Sequence, residues 1–382
     1  MIPVLDLSPE IELMRKELDK AWSRVLDETR FIMGPDVEAF EQETAEWMNA
    51  KHAIGVNSGT DALVIALRAA GIEEGDEVIT TPFTFFATAE SIAMIGAKPV
   101  FVDIEPADMN INPDLIEPAI TGKTKAIMPV HLYGKPAAMN RIMQIARNHN
   151  LKVIEDCAQS FGAPYEATCS SCDGKCGEDL PESIKGKTTG TIGDAGALSF
   201  FPSKNLGGFG DGGMVVTNDD DIAEHARMLR VHGARKKYYN EVMGYNSRLD
   251  TLQAALLRVK LGYIDQFNLA RRAVAQRYRE ELGDLSEISL PPVPDEGHVY
   301  HQYTIKLERA DRGTVQDQLK EKGIGTMVYY PVPCHKLPVF KDRNESHPVS
   351  EECAEKVLSL PIGPFLKPDQ QMQVIEALRE VL

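Results

Sequence analysis

Between Ala53 and Asn218 short β-rich runs alternate with helical segments, and this alternation restricts the chain more than any other feature. Ala53–Asn57, Glu77–Thr80, Pro99–Val102, Thr124–Val130, Leu151–Glu155, Ala197–Phe201 and Gly213–Thr217 read as strands. Ser58–Ala70, Phe86–Gly96 and Ala137–Asn148 read as helices between them. Strands that return to one sheet through helices must run mainly parallel, with both faces covered. Ligands of such sheets bind beyond the carboxyl ends of the strands. Asn57, Thr81, Asp156 and the run Ser199–Gly208 all stand at such ends and are expected to meet in one cleft.

The C-terminal third has a different rhythm. A helical segment from Leu249 to about Leu282 should leave the sheet. Strand Tyr303–Leu307, helix Asp311–Lys322, strand Gly325–Tyr330, helix Ser350–Leu358 and helix Pro368–Leu382 then form a smaller α+β unit. The expected division is 1–250 for the large unit and 251–382 for the linking helix and small unit. With 41 basic and 57 acidic residues the net charge is −16. That argues against nucleic acid and anionic membranes as partners, which need clustered cations. No apolar run reaches the length of a membrane span, and the N-terminus has no basic, then apolar, leader. A cytoplasmic enzyme is the default reading.

Six cysteines are present, three as Cys169, Cys172 and Cys176 in a polar insertion from about 166 to 187. Three thiols without a nearby histidine fall one ligand short of a closed zinc site, although Cys157 could supply a fourth. The expectation is no metal.

Lys204 follows an apolar strand and precedes Gly207-Gly208. An amine at a buried strand end loses proton affinity and can become a Schiff-base nucleophile; on this run alone, a loop lysine reaching solvent is an equal reading. Asp156 at the end of its strand could hold a cationic ring nitrogen, with Gln159 three residues on beside a ring oxygen; the competing role is a turn cap. Ser58-Gly59-Thr60 opens a helix whose free N–H groups could bind a phosphate, or Ser58 simply caps it with Asp61. Phe83, Phe85 and Phe86 could cover a ring or fill a core.

Taken together, Ser58-Gly59-Thr60-Asp61-Ala62-Leu63, Pro82–Thr88, Pro129-Val130-His131-Leu132-Tyr133-Gly134, Glu155–Gln159, Ser199–Gly208 and Gly244–Ala255 closely resemble the DegT/DnrJ/EryC1/StrS family of sugar aminotransferases. The resemblance runs from about Pro35 to the C-terminus. It implies a fold type I aminotransferase, with a mainly parallel seven-stranded sheet in a large domain and a smaller C-terminal α+β domain. The cofactor implied is pyridoxal 5'-phosphate. By the same resemblance Lys204 carries the cofactor and moves the proton. Asp156 and Gln159 meet its ring, and Phe85 stacks on it. Ser58, Gly59, Thr60 and Ser199 hold its phosphate. Asn246 reaches the phosphate of a neighbouring subunit, which makes a homodimer with shared active sites; Arg248 is the second candidate there. His131, Tyr133, Tyr330 and His335 are expected near the substrate.

The reaction implied is ping-pong PLP/PMP transfer from L-glutamate to a keto-sugar, nucleotide-linked, in amino-sugar biosynthesis. The wording of Asn246–Ala255 favours a C3 ketone over C4. A cyclitol or aromatic-precursor acceptor, a dehydratase and a non-catalytic cofactor-binding regulator are the alternatives. Related dehydratases carry histidine where this chain has Lys204.

Overall fold

The computed structural model describes residues 1–166, 184–293, 297–340 and 345–382. The three clustered cysteines lie outside the described residues. Two helices come first, α1 (Ser8–Glu28) and α2 (Pro35–Met48). The expected alternation follows as β1 (His52–Val56), α3 (Gly59–Ala69), β2 (Glu77–Thr80), α4 (Phe86–Met94), β3 (Lys98–Phe101), β4 (Thr124–Ile127), α5 (Met139–His149), β5 (Lys152–Asp156), β6 (Ala195–Ser199) and β7 (Gly213–Thr217).

These seven strands form one sheet in the order β1-β7-β6-β5-β4-β2-β3. All neighbours from β6 to β3 are parallel; β7 alone is reversed, pairing antiparallel with β1 and β6. Because the other six strands point one way, Val56, Thr80, Ile127, Asp156 and Ser199 end at one edge. One face is covered by α3 and α6 (Asp220–Leu229), whose Leu63, Ile65, Leu67 and Ile222 pack on Ile54, Val78, Ile154 and Val215. On the other face Val37 and Phe40 of α2 and Leu257 of α7 (Thr251–Leu261) meet Leu198, Met214 and Val216. An apolar layer on each side is why the strands read as continuous apolar runs rather than as alternation.

A hairpin, β8 (Ala234–Lys236) and β9 (Tyr239–Asn240), projects after α6. The single helix expected from Leu249 to Leu282 is two, α7 and α8 (Ile264–Leu282), separated at Gly262-Tyr263. Glycine is among the weakest helix formers, and it caps α7 here. The small unit is a second sheet, β10 (Ile288–Ser289), β11 (Tyr303–Leu307) and β12 (Val357–Leu360), packed by α8, α9 (Arg312–Glu321) and α11 (Pro368–Val381). Ile2 joins this core and bridges Ile324, so the first residues pack with the C-terminal unit.

Two further expectations change. α10 (Pro348–Lys356) ends two residues earlier than expected, and Val357–Leu360 leaves it as a strand beside β11. Gly325–Tyr330, expected as a strand, instead makes only an isolated bridge, Met327 to Ser359 of that strand. No helix among the described residues is long and apolar enough to cross a membrane.

Candidate active site

Lys204 lies in a turn set by backbone bonds at the end of β6. Phe200 donates to Gly212 O at 2.8 Å, Lys204 to Phe201 O at 2.8 Å and Gly208 to Phe200 O at 2.7 Å. The side chain is partly buried. Burial lowers its ammonium to about 8, against the opposing pull of the Asp156 carboxylate. Lys204 and Asp156 therefore share one cleft.

Asp156 is buried, and burial raises its carboxyl above the ordinary range. Thr88 opposes this by donating Oγ1–H to Oδ2 at 2.8 Å, and Ala158 N–H donates to Oδ1 at 3.1 Å. Thr84 and Thr88 hydroxyls are 2.9 Å apart, so α4 and the loop before it fix the carboxylate. The turn-cap role considered for Asp156 is present in the Ala158 bond, and it leaves the carboxylate facing Lys204.

The start of α3 stands beside this pair. Ser58 caps the helix, its Oγ accepting from Asp61 N at 3.0 Å. The amides of Gly59 and Thr60, in the first turn, have no intrahelical acceptor and face an anion's natural position. A Cβ on Gly59 would lie 2.6 Å from Ser199 Cβ and 2.9 Å from its Oγ. Only glycine lets the helix end come this close to the end of β6. The capping role and a phosphate-binding role thus coexist in one turn.

Gln159 Oε1 accepts from Tyr133 N at 2.6 Å, and its Nε2 donates to the Tyr330 hydroxyl at 2.9 Å. Tyr133 donates its hydroxyl to the Tyr329 carbonyl. Phe83 is wholly buried, whereas Phe85 is 60% exposed and its ring lies 6.1 Å from that of Tyr330. Of the three phenyl groups before and in α4, Phe85 is the one left uncovered beside the cleft.

Other expected residues are elsewhere. His131 does not line the cleft: it is wholly buried, Nδ1 accepts from Ala137 N at 3.0 Å and Nε2 meets Glu155 Oε2 at 2.9 Å. His335 turns away toward α10, with its ring 4.7 Å from His347 and Nε2 3.1 Å from Glu351. Asn246 is exposed and Arg248 half-buried, and neither side chain has a partner among the described residues. His131, Glu155 and Cys157 bring ligating atoms within 4.8 Å of one another. However, the Glu155 carboxylate already accepts from Gly190, Ile192, Gly193 and His131, so it serves as a hydrogen-bonded hub.

Sequence reasoning missed Thr88, Asn205 and His301. Asn205 Nδ2 donates to Asn268 Oδ1 at 2.8 Å and Val299 O at 3.1 Å, and its Oδ1 lies 3.2 Å from His301 Nδ1. His301 is held neutral by burial, with Lys204 and Arg271 adding to the effect. Asn205 follows Lys204 directly, and a buried amide beside a reactive lysine was the available signal.

A family model described as the DegT/DnrJ/EryC1/StrS aminotransferase family matches residues 12–379. A pleiotropic regulatory protein of Geobacillus stearothermophilus is 48% identical over 386 residues, spanning 99% of this chain and 98% of its own. A dTDP-3-amino-3,4,6-trideoxy-alpha-D-glucose transaminase of Streptomyces venezuelae is 43% identical over 383 residues, spanning 99% and 96%. The crystal structure of S. venezuelae DesV in complex with a ketimine intermediate superposes with a TM-score of 0.91 at 43% identity, covering 99% of this chain and 98% of that one.

Proposed function

Because the chain belongs to the DegT/DnrJ/EryC1/StrS aminotransferase family, we propose that it transfers an amino group from L-glutamate to the C3 ketone of a nucleotide-linked sugar. The observation that carries the proposal is Lys204, an amine lowered to about 8 and facing a buried carboxylate beside a helix N-terminus. The C3 assignment follows the 3-amino sugar made by the Streptomyces relative and the wording of Asn246–Ala255.

The family depends on pyridoxal phosphate, and the cleft fits that group. The Gly59–Ser199 approach leaves amides and a hydroxyl for a phosphate, Asp156 offers an anion for a ring nitrogen, and Phe85 offers an uncovered face. When bound, the cofactor supplies a carbonyl for amines to condense with and a ring that takes up electrons.

The remaining work falls to the chain. With a pKa near 8, Lys204 has a useful fraction of free amine at neutral pH and can take a proton from the donor's Cα. The same ammonium can return that proton two atoms along, to the carbon beyond the donor's nitrogen, so one side chain serves both halves of a ping-pong exchange. Asp156, fixed by Thr88 and Ala158, stays in place opposite positive charge through both halves. Gln159 is held by Tyr133 and Tyr330, and in this reading its side chain would meet the ring oxygen of the cofactor.

The active unit is a homodimer in this reading. Phe85 is exposed beside the cleft, Phe201 and Phe209 are exposed before and after the Lys204 turn in the chain, and Tyr238, Val242 and Met243 are exposed on and after the hairpin. Such a concentration of uncovered apolar side chains marks an interaction surface. Asn246, unpartnered in one copy among the described residues, would complete the phosphate site of the other.

The test is incubation with L-glutamate and a set of 3-keto and 4-keto sugars carrying dTDP or UDP, with NMR of the product. A new amine at C3 is expected. Amination at C4 alone would move the acceptor assignment, and no amination of any member would overturn the sugar reading.

A further inference from the structure

Lys204 is followed by the buried amide of Asn205, which belongs to a chain of hydrogen bonds with a fixed orientation. The Phe161 carbonyl accepts from Asn268 Nδ2 at 3.1 Å, which turns the Asn268 oxygen the other way. That oxygen accepts from Asn205 Nδ2 at 2.8 Å, and the Val299 carbonyl accepts from the same nitrogen at 3.1 Å. Asn205 therefore presents its oxygen to His301 Nδ1, 3.2 Å away, and Nδ1 must carry the imidazole proton. The ring is neutral, so Nε2 is bare, and it has no hydrogen-bond partner among the described residues.

The His301 backbone is held from two sides. Its N–H donates to the Tyr133 carbonyl at 2.9 Å, and Arg271 Nη1 of α8 donates to its carbonyl at 3.3 Å and to that of Tyr300 at 3.2 Å. Tyr133 in turn donates its N–H to Gln159. Asn205 is thus tied to the loop after β5 by two routes. One runs through Asn268 of α8 to Phe161, the other through His301 and Tyr133 to Gln159. Buried polar groups that are paired in this way fix one arrangement, because any other leaves a donor or an acceptor without a partner.

We infer that His301 is a positioning residue, which through its Nδ1–H bond to Asn205 holds the Lys204 turn in register with Asp156 and Gln159. The segment before β11 and helix α8 thereby set where the amine stands, and the small unit takes part in chemistry done at the ends of the large sheet. The inference rests on Lys204 as the reactive amine of the proposed function, and not on the identity of the acceptor. Because His301 is neutral, replacing it takes no charge away from Lys204, and the facing Asp156 stays. A change in the amine then comes through position.

The experiment uses the full chain without cofactor and its His301→Asn, His301→Gln and His301→Leu variants, each checked by a melting curve. An Asn amide nitrogen can stand where Nδ1 stands and a Gln amide where Nε2 stands, so the two separate the Asn205 bond from any contact made by Nε2. Pulse acetylation across pH, read by mass spectrometry, gives the pH at which Lys204 is half reactive, about 8 in the parent. In His301→Leu and His301→Gln the turn loses its tie and the amine reaches water, so the midpoint should move up toward 10.5. The rate at which added pyridoxal 5'-phosphate becomes fixable by borohydride should fall about tenfold in the same two variants, the share of one buried hydrogen bond. His301→Asn should match the parent in both measurements. A His301→Leu chain that folds with an unmoved midpoint would make His301 merely structural and overturn the inference. Loss in His301→Asn with retention in His301→Gln would also overturn it, since Nε2 would then be the working atom. If His301→Leu does not fold, the Asn and Gln variants decide between the same outcomes. Because the midpoint is read without cofactor, a parent that took up no pyridoxal 5'-phosphate would overturn the proposed function and leave this test intact.

Discussion

Thr88 donates its hydroxyl to Asp156 Oδ2 at 2.8 Å, so a residue of α4 holds the carboxylate of a residue that ends β5. Burial lifts the Asp156 carboxyl above its ordinary range and the Thr88 bond pulls it back. A carboxylate that must be ionised loses function as pH falls through its pKa. Thr88→Val removes the donor, so the acid limb of kcat/KM should move to higher pH. A bond to a charged group is worth about 1.5–3 kcal/mol, which makes the loss at the acid end about tenfold or more. Thr88→Ser should keep the parent profile. A Val variant with an unmoved acid limb would refute this role.

Lys204 gives a stability prediction with a defined sign in the cofactor-free chain. Its amine is at about 8 in the folded state, against 10.5 for an ordinary lysine. Below about pH 8 both states are protonated and the folded one carries the full burial penalty. Between about 8 and 10.5 the unfolded chain holds a proton that the folded chain has released, so stability rises with pH. Lys204→Met has no such gain. It should be more stable than the parent by about 2–3 kcal/mol at pH 7, with the gap closing by pH 10.5. Urea unfolding at both pH values measures it, and a gap that stays constant would show that the amine is not depressed.

The strand ends were legible because apolar runs bounded by turns are local signals, and Lys204, Asp156 and Gly59 each stand on one. Partners were less legible. His131 looked like a cleft residue because nothing near it in sequence shows that Glu155, 24 residues later, takes its Nε2. Thr88 lay inside a quoted motif, but its link to Asp156 spans 68 residues and exists only once β2 and β5 are in one sheet. β12 was hidden because Val357-Leu358 continues the apolar spacing of α10, and only pairing with β11 decides for a strand.

Glu155 is the position where a small chemical change should cost most in folding. Its Oε1 accepts from Ile192 and Gly193, and its Oε2 from Gly190 and His131, all at 2.7–2.9 Å. Glu155→Gln turns one oxygen into a donor that faces donors, losing two bonds and leaving their partners buried. A destabilisation of about 2–4 kcal/mol is expected in chemical denaturation. The amides of Gly190, Ile192 and Gly193 should also exchange faster than other buried amides. A variant as stable as the parent would mean that the hub is not formed.

Gly59 separates close approach from helix propensity, because the two predict opposite signs. In the interior of an exposed helix, Gly→Ala stabilises by about 1 kcal/mol. Here the new Cβ meets Ser199 at 2.6 Å, and the end of α3 must retreat from β6. Gly59→Ala should therefore lower the melting temperature. It should also weaken pyridoxal 5'-phosphate by about tenfold or more while changing pyridoxal less, since the lost contact is to the phosphate. Adding Ser199→Gly makes room for the methyl group and should restore stability. It should not restore the phosphate preference, because the Ser199 hydroxyl is gone with the clash. If the double variant recovered both, the hydroxyl would have no part in anion binding and the helix amides alone would carry it.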